Sequence, residues 1–116
     1  MRCWPSLLLL ALSSCAPDAE QSSCQRDPPL DYNDFGRGFL ERHCTGCHSS
    51  LLAEGHRADA PVGVDLDSYA DAVQWADRIY IRSVGEDASM PPGGGPTDQE
   101  KALLAEWLTC DLGVEP

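Results

Sequence analysis

The apolar positions of this chain fall into spaced stripes separated by stretches with no period. Tyr32, Phe35, Gly36, Phe39, Leu40 and His43 recur at i, i+3, i+4, i+7, i+8 and i+11, one face of an α-helix that runs straight into Cys44. Residues 54–65 lack periodicity, hold Gly, Pro and Ala, and read as loop. Asp67 or Ser68 can cap a second helix with Tyr69, Ala72, Val73, Ala76 and Tyr80 on one side, reaching about Val84 with room for a bend near Trp75. The run GEDASMPPGGGP, residues 85–96, is too rich in glycine and proline for regular structure. Thr97-Asp98-Gln99-Glu100 then spells a capping box, with Thr97 as N-cap and Glu100 at the third helical position. Leu103, Leu104, Trp107 and Leu108 form the apolar face of that last helix, and Gly113 lies beyond its end. No stretch alternates polar and apolar long enough to make a strand. The pattern predicts an all-α fold of three to four helices.

The N-terminus has a different character. Arg2, the apolar run Leu7 to Leu12, and the small Ser13 and Ser14 ahead of Cys15 read as an export signal over residues 1–14. The apolar run is far short of the roughly 20 residues that cross a bilayer. Leu12-Ser13-Ser14-Cys15 resembles the lipobox of bacterial lipoproteins, which implies cleavage before Cys15 and a diacylglycerol on its sulfur. Ordinary cleavage beside Ala16 is the alternative. Residues 15–31 are then a lipid-anchored flexible tether, polar and proline-containing, that spans about 50 Å when fully extended. The expected location is the periplasmic side of a bacterial membrane, inner or outer.

Charge narrows the partners. Removing residues 1–14 takes away Arg2 alone, so 8 basic residues become 7 against 19 acidic ones, and the net charge moves from −11 to −12. Nucleic acid is repelled, and a partner steered by electrostatics presents a basic face. Apart from the lipid at Cys15, no membrane contact is expected.

The six cysteines sort by position. Cys3 leaves with the signal, Cys15 carries the lipid, and Cys44 and Cys47 share the motif Cys44-Thr45-Gly46-Cys47-His48. Cys24 and Cys110 remain, near the two ends of the folded part, where an exported protein keeps disulfides; a bond between them is expected. Two free thiols, or a bond to another molecule, are the alternatives. If bonded, the pair leaves only residues 16–23 as free tether.

The motif itself admits a dithiol, half a zinc site or a haem attachment site, and its spacing favours the last. Zinc would need a second CxxC or HxxxH to complete four ligands, and neither is in the chain. A thioredoxin-like centre would need a βαβ context. On the haem reading Cys44 and Cys47 bond the porphyrin and His48 is the proximal ligand. His43 and His56 are rival distal ligands: the first sits on the wrong side of the motif, and the second lies in a loop that could reach.

CTGCH, Met90-Pro91-Pro92 and a terminal helix carrying Trp107-Leu108 together resemble a class I c-type cytochrome domain, in its short bacterial lipoprotein or planctomycete-type form. The resemblance covers residues 32–113. Leu40 departs from it, since many relatives carry an aromatic four residues before the first motif cysteine. The resemblance implies helices packed around one covalent haem c, with His48 and Met90 as axial iron ligands. It also implies that first and last helices cross closely at a small residue, matched by Gly36 with Leu104 and Trp107. The expected function is that of a monohaem, non-enzymatic electron carrier between redox partner proteins. The alternative is a haem enzyme or sensor with an open or His-ligated distal position.

Overall fold

The computed structural model describes residues 24–116. The signal over 1–14, the lipid site Cys15 and residues 16–23 lie outside the described residues. From Tyr32 the chain forms a π-type turn, Tyr32–Gly36, that passes into helix α1, Arg37–His43. A single 3-10 turn, Glu54–His56, interrupts the following loop. Helices α2, Tyr69–Ser83, and α3, Asp98–Cys110, complete the fold. Among the described residues there is no strand, and the fold is all-α. None of the described helices is long and apolar enough to cross a membrane.

Each helix start has a local cause. Asp31 accepts a hydrogen bond from the Asp34 N–H at 2.7 Å and so begins the first turn. The chain enters it one residue wide: Gly36 N–H reaches back to the Asp31 carbonyl at 3.1 Å, and the Arg37 N–H to that of Tyr32. Ser68 caps α2 in a reciprocal box with Asp71, and Thr97 caps α3 in one with Glu100. The chain leaves α3 through Gly113, whose φ of 73° suits a residue without Cβ.

The core forms where these elements meet. Leu104, Trp107 and Leu108 of α3 are fully buried, with Phe39 and Leu40 of α1, Ala72, Ala76 and Ile79 of α2, and Leu66 and Val114 from the loops. Gly36 lies against the Trp107 ring so closely that a Cβ there would stand 2.3 Å from ring carbon Cζ2. The Trp107 indole N–H finds its acceptor at Asp111 Oδ2, 2.9 Å away, so the ring is buried without an orphan donor. Tyr32 and Phe35 flank the ring, at centroid distances of 6.4 and 6.2 Å.

The second stripe is rotated from its sequence reading. Tyr69 and Val73 stay 45% and 49% exposed, and the buried row is Ala72, Ala76, Ile79 and Ser83. Period alone locates a face only to within its width. The small Ala72 and Ala76 allow α2 to approach α3, and that approach decides the centre of the face.

Cys24 and Cys110 are bonded, with an S–S distance of 2.00 Å. Arg26 adds a two-pronged ion pair to Glu106 of α3, at 2.6 and 2.9 Å, and Leu30 packs on the core. The second half of the expected tether is therefore tied along α3.

Candidate functional site

The motif occupies the turn in which α1 ends. The Leu40 carbonyl accepts from both Cys44 N–H (2.8 Å) and Thr45 N–H (3.0 Å), and the Cys44 carbonyl from Cys47 N–H (3.1 Å) and His48 N–H (2.9 Å). The residues thus continue the helical winding for one more turn and then leave it. Cys44 and Cys47 are both half-buried thiols. An i to i+3 bond keeps their Cα atoms within about 7 Å, a separation at which a disulfide can close. Burial, with Cys47 adding to it, pushes the Cys44 thiol up to about 11. The C-terminal end of a helix offers no N–H groups that would favour a thiolate.

His48 is turned away from α1 to the loop after it. Its Nδ1 lies 2.9 Å from the Val64 carbonyl, which only accepts, so Nδ1 carries the hydrogen and Nε2 a lone pair. The backbone repeats the connection, since the Leu66 N–H donates to the His48 carbonyl at 2.9 Å. One residue pair on, the Ser50 N–H donates to Asp67 Oδ2 at 2.7 Å.

The loop that receives His48 is organised by a residue that the sequence reading passed over. Arg57 is 2% exposed. Its Nε donates to the Ala60 carbonyl, its Nη1 to that of Ser49, and its Nη2 to the carbonyls of Pro61 and Val64 and to Asp65 Oδ1 at 2.8 Å. A charge this deep is tolerable only when paired and hydrogen-bonded, and Arg57 is both. Its one sequence trace is a long cationic side chain in a loop otherwise built of small residues, HRADAP.

The other sequence candidates have their own local anchors. Met90 sits in the loop after α2, where its N–H and that of Ser89 both donate to the Arg82 carbonyl at 2.8 Å. That loop is anchored on the last turn of α2, whereas His48 is anchored on residues 57–66. His43 packs on the Phe39 ring at 4.8 Å and faces Glu100 Oε1 at 3.4 Å, which links the end of α1 to the start of α3. His56 is exposed on its short turn. A separate groove of about 830 Å³ lies between α2 and the chain end, beside Tyr80, Ile81 and Val114; no residue of the motif lines it.

The fold and this turn define a small, disulfide-clamped helical domain with a dithiol and an oriented imidazole at the end of α1. No family model matches the chain, and no match was found among curated proteins or solved structures. Among the described residues no group of three or more His, Cys, Asp or Glu side chains gathers to hold a metal ion. The identification as a class I c-type cytochrome is corrected accordingly. With it go haem c as cofactor, the thioether roles of Cys44 and Cys47, the iron-ligand roles of His48 and Met90, and the monohaem carrier function with its haem-enzyme or sensor alternative. CTGCH and MPP are short local patterns: they fix two sulfurs and a ring on one turn, and a thioether in a loop, but not what surrounds them. The zinc reading falls on the same observation. The disulfide joins Cys24 to Cys110 and leaves Cys44 and Cys47 as thiols.

Proposed function

We propose that this is a non-enzymatic redox module whose working couple is the Cys44/Cys47 dithiol, and that it exchanges electron pairs with partner proteins by thiol–disulfide exchange. The observation that carries this reading is the different fate of two cysteine pairs in one molecule. Cys24 and Cys110 are bonded, whereas Cys44 and Cys47 lie as unbonded thiols on one turn that brings them within disulfide reach. The proposal places the domain on the periplasmic side of a bacterial membrane, held by a lipid on Cys15. Its partners carry a basic face, in keeping with the net charge of −11 of the whole chain.

The pair is unequal. Cys44, held near 11, is almost wholly protonated at neutral pH and is a poor attacking group. Attack on a partner disulfide therefore falls to Cys47, and Cys44 resolves. The Cys47 sulfur bonds one partner sulfur and releases the other as a thiol; Cys44 then displaces the second, and the Cys44–Cys47 bond closes. Two thiols here become a disulfide while one partner disulfide becomes two thiols, with no other oxidant needed. Because the Cys44 thiolate is not stabilised, the reduced form gains little from it, which favours a reducing couple.

Oxidised glutathione tests the assignment. The Cys44→Ser variant, which keeps Cys47, is expected to trap a mixed disulfide faster than Cys47→Ser does. Failure of both variants to react, with the wild-type pair resisting oxidation in a glutathione buffer, overturns the proposal.

A further inference from the structure

We infer that Arg57 is a positioning residue that fixes the tautomer and orientation of His48 through the carbonyl they share, an inference that rests on the reading of the 44–48 turn as the working site. The Val64 carbonyl receives two donors, His48 Nδ1 at 2.9 Å and Arg57 Nη2 at 3.1 Å. A carbonyl oxygen has two lone pairs and can take both donors, while Nη2 shares its two hydrogens among Val64, Pro61 and Asp65. His48 can hold Nδ1–H and leave Nε2 unprotonated only while that oxygen stays where it is. Arg57 holds that oxygen directly, beside the backbone bonds from the Val64 N–H to Pro61 and from the Leu66 N–H to His48 that place the segment.

The loop has no regular structure after Arg57 to do so. Ala58 and Asp59 follow in the left-handed region, at φ 49° and 66°, a conformation unfavourable for residues that carry a Cβ. Two successive residues persist there only if their surroundings over-determine them. Arg57 supplies that restraint: its guanidinium binds the carbonyls of Ala60, Pro61 and Val64 on the far side of the bend, and that of Ser49 next to His48. One planar group thus spans the end of the motif turn and the loop. Asp65, with Oδ1 2.8 Å from Nη2, supplies the opposite charge that permits the burial.

The consequence is a specific protonation pattern. In the native protein the neutral His48 ring carries its hydrogen on Nδ1 and its lone pair on Nε2. Without Arg57 the Val64 carbonyl is released, the bond to Nδ1 is weakened, and the imidazole is free to move its hydrogen to Nε2.

The test is the ¹⁵N spectrum of the His48 ring in the full chain at a pH where imidazole is neutral. Wild type is expected to show a protonated Nδ1 and an unprotonated Nε2. Arg57→Gln is expected to lose that bias by at least tenfold in the tautomer ratio, with helix content and the Cys24–Cys110 bond retained. Should Arg57→Gln fail to fold, Asp65→Asn, which removes the charge that holds the guanidinium in place and so loosens its bond to the Val64 carbonyl, is expected to produce a smaller shift in the same direction. A folded Arg57→Gln protein with the wild-type ring spectrum overturns the inference, as does an Asp65→Asn spectrum identical to wild type where Arg57→Gln does not fold. Thiol reactivity measured on the same samples separates the two claims: a shifted tautomer beside inert thiols keeps the role of Arg57 and removes the dithiol function.

Discussion

Two regions of this domain are held by different physics. Where α1 and its preceding turn cross α3, side chains exclude water: Trp107 rests on the bare backbone of Gly36, with Leu104, Leu108, Phe39 and Leu40 closing the space around it. Across the motif and the loop to Leu66, the chain is held by hydrogen bonds onto backbone carbonyls, four of them from the Arg57 side chain and the rest from backbone N–H groups and the His48 ring. The first arrangement tolerates small shifts of each contact, because dispersion and burial are spread over many atoms. The second centres on one guanidinium among directed backbone bonds, and its geometry is set atom by atom. A domain of this size has few residues to spare for a core, and it uses the second device where a turn must be placed rather than merely covered.

Breaking the crossing should have the largest effect on stability. Trp107→Ala removes a fully buried ring and is expected to cost about 4 kcal/mol, read as a large drop in the urea midpoint. Gly36→Ala attacks the same contact from the other side. Its Cβ would fall 2.3 Å from the ring, so one helix must move, and about 2 kcal/mol is expected. If Gly36→Ala matches wild type in urea, the crossing is looser than described. In contrast, loss of Arg57 should show first in the His48 ring and only then in global stability.

The smallest expected effect sharpens the comparison by charge. Glu100 accepts from the Thr97 N–H and faces His43 and Arg42, and its pKa falls from 4.5 to about 2, first through the Thr97 bond and then through His43. A carboxylate with a depressed folded pKa stabilises above its unfolded value, and that contribution is lost as pH falls through the folded one. Acid unfolding of Glu100→Gln should therefore lose part of the pH dependence between about 4.5 and 2, while remaining parallel to wild type above it. Identical slopes in that window would remove Glu100 as the link between cap and α1.

The parts legible in the sequence are those written in local chemistry. Thr97 with Glu100 announces the start of α3, and the structure forms that box. Cys24 and Cys110 were left over once the other cysteines had roles, and they are bonded. Close approach at Gly36 followed only from the family resemblance, and the Trp107 ring does lie against it although the family itself is not supported. The face of α2 was misjudged, because Tyr69 and Val73 look more apolar than Ala72 and Ala76 although only the small residues permit contact with α3. Arg57 was invisible for a deeper reason: its partners are backbone carbonyls, which every residue carries, so no side-chain pattern records them. The motif showed the opposite failure. Five residues specified the turn and its donors well, and were read as specifying a cofactor and a family for which the comparisons give no support.

The most direct test of the central claim is the mass of the peptide carrying residues 44–48, taken from protein exported in a bacterial host, before and after mild reduction and alkylation. The account predicts an unmodified polypeptide that gives up two hydrogen atoms on oxidation. After reduction it should take one alkyl group at Cys44 and one at Cys47, with Cys24–Cys110 still bonded. An added group on the two sulfurs that survives reduction would contradict it, and would return the turn to the chemistry of covalent attachment.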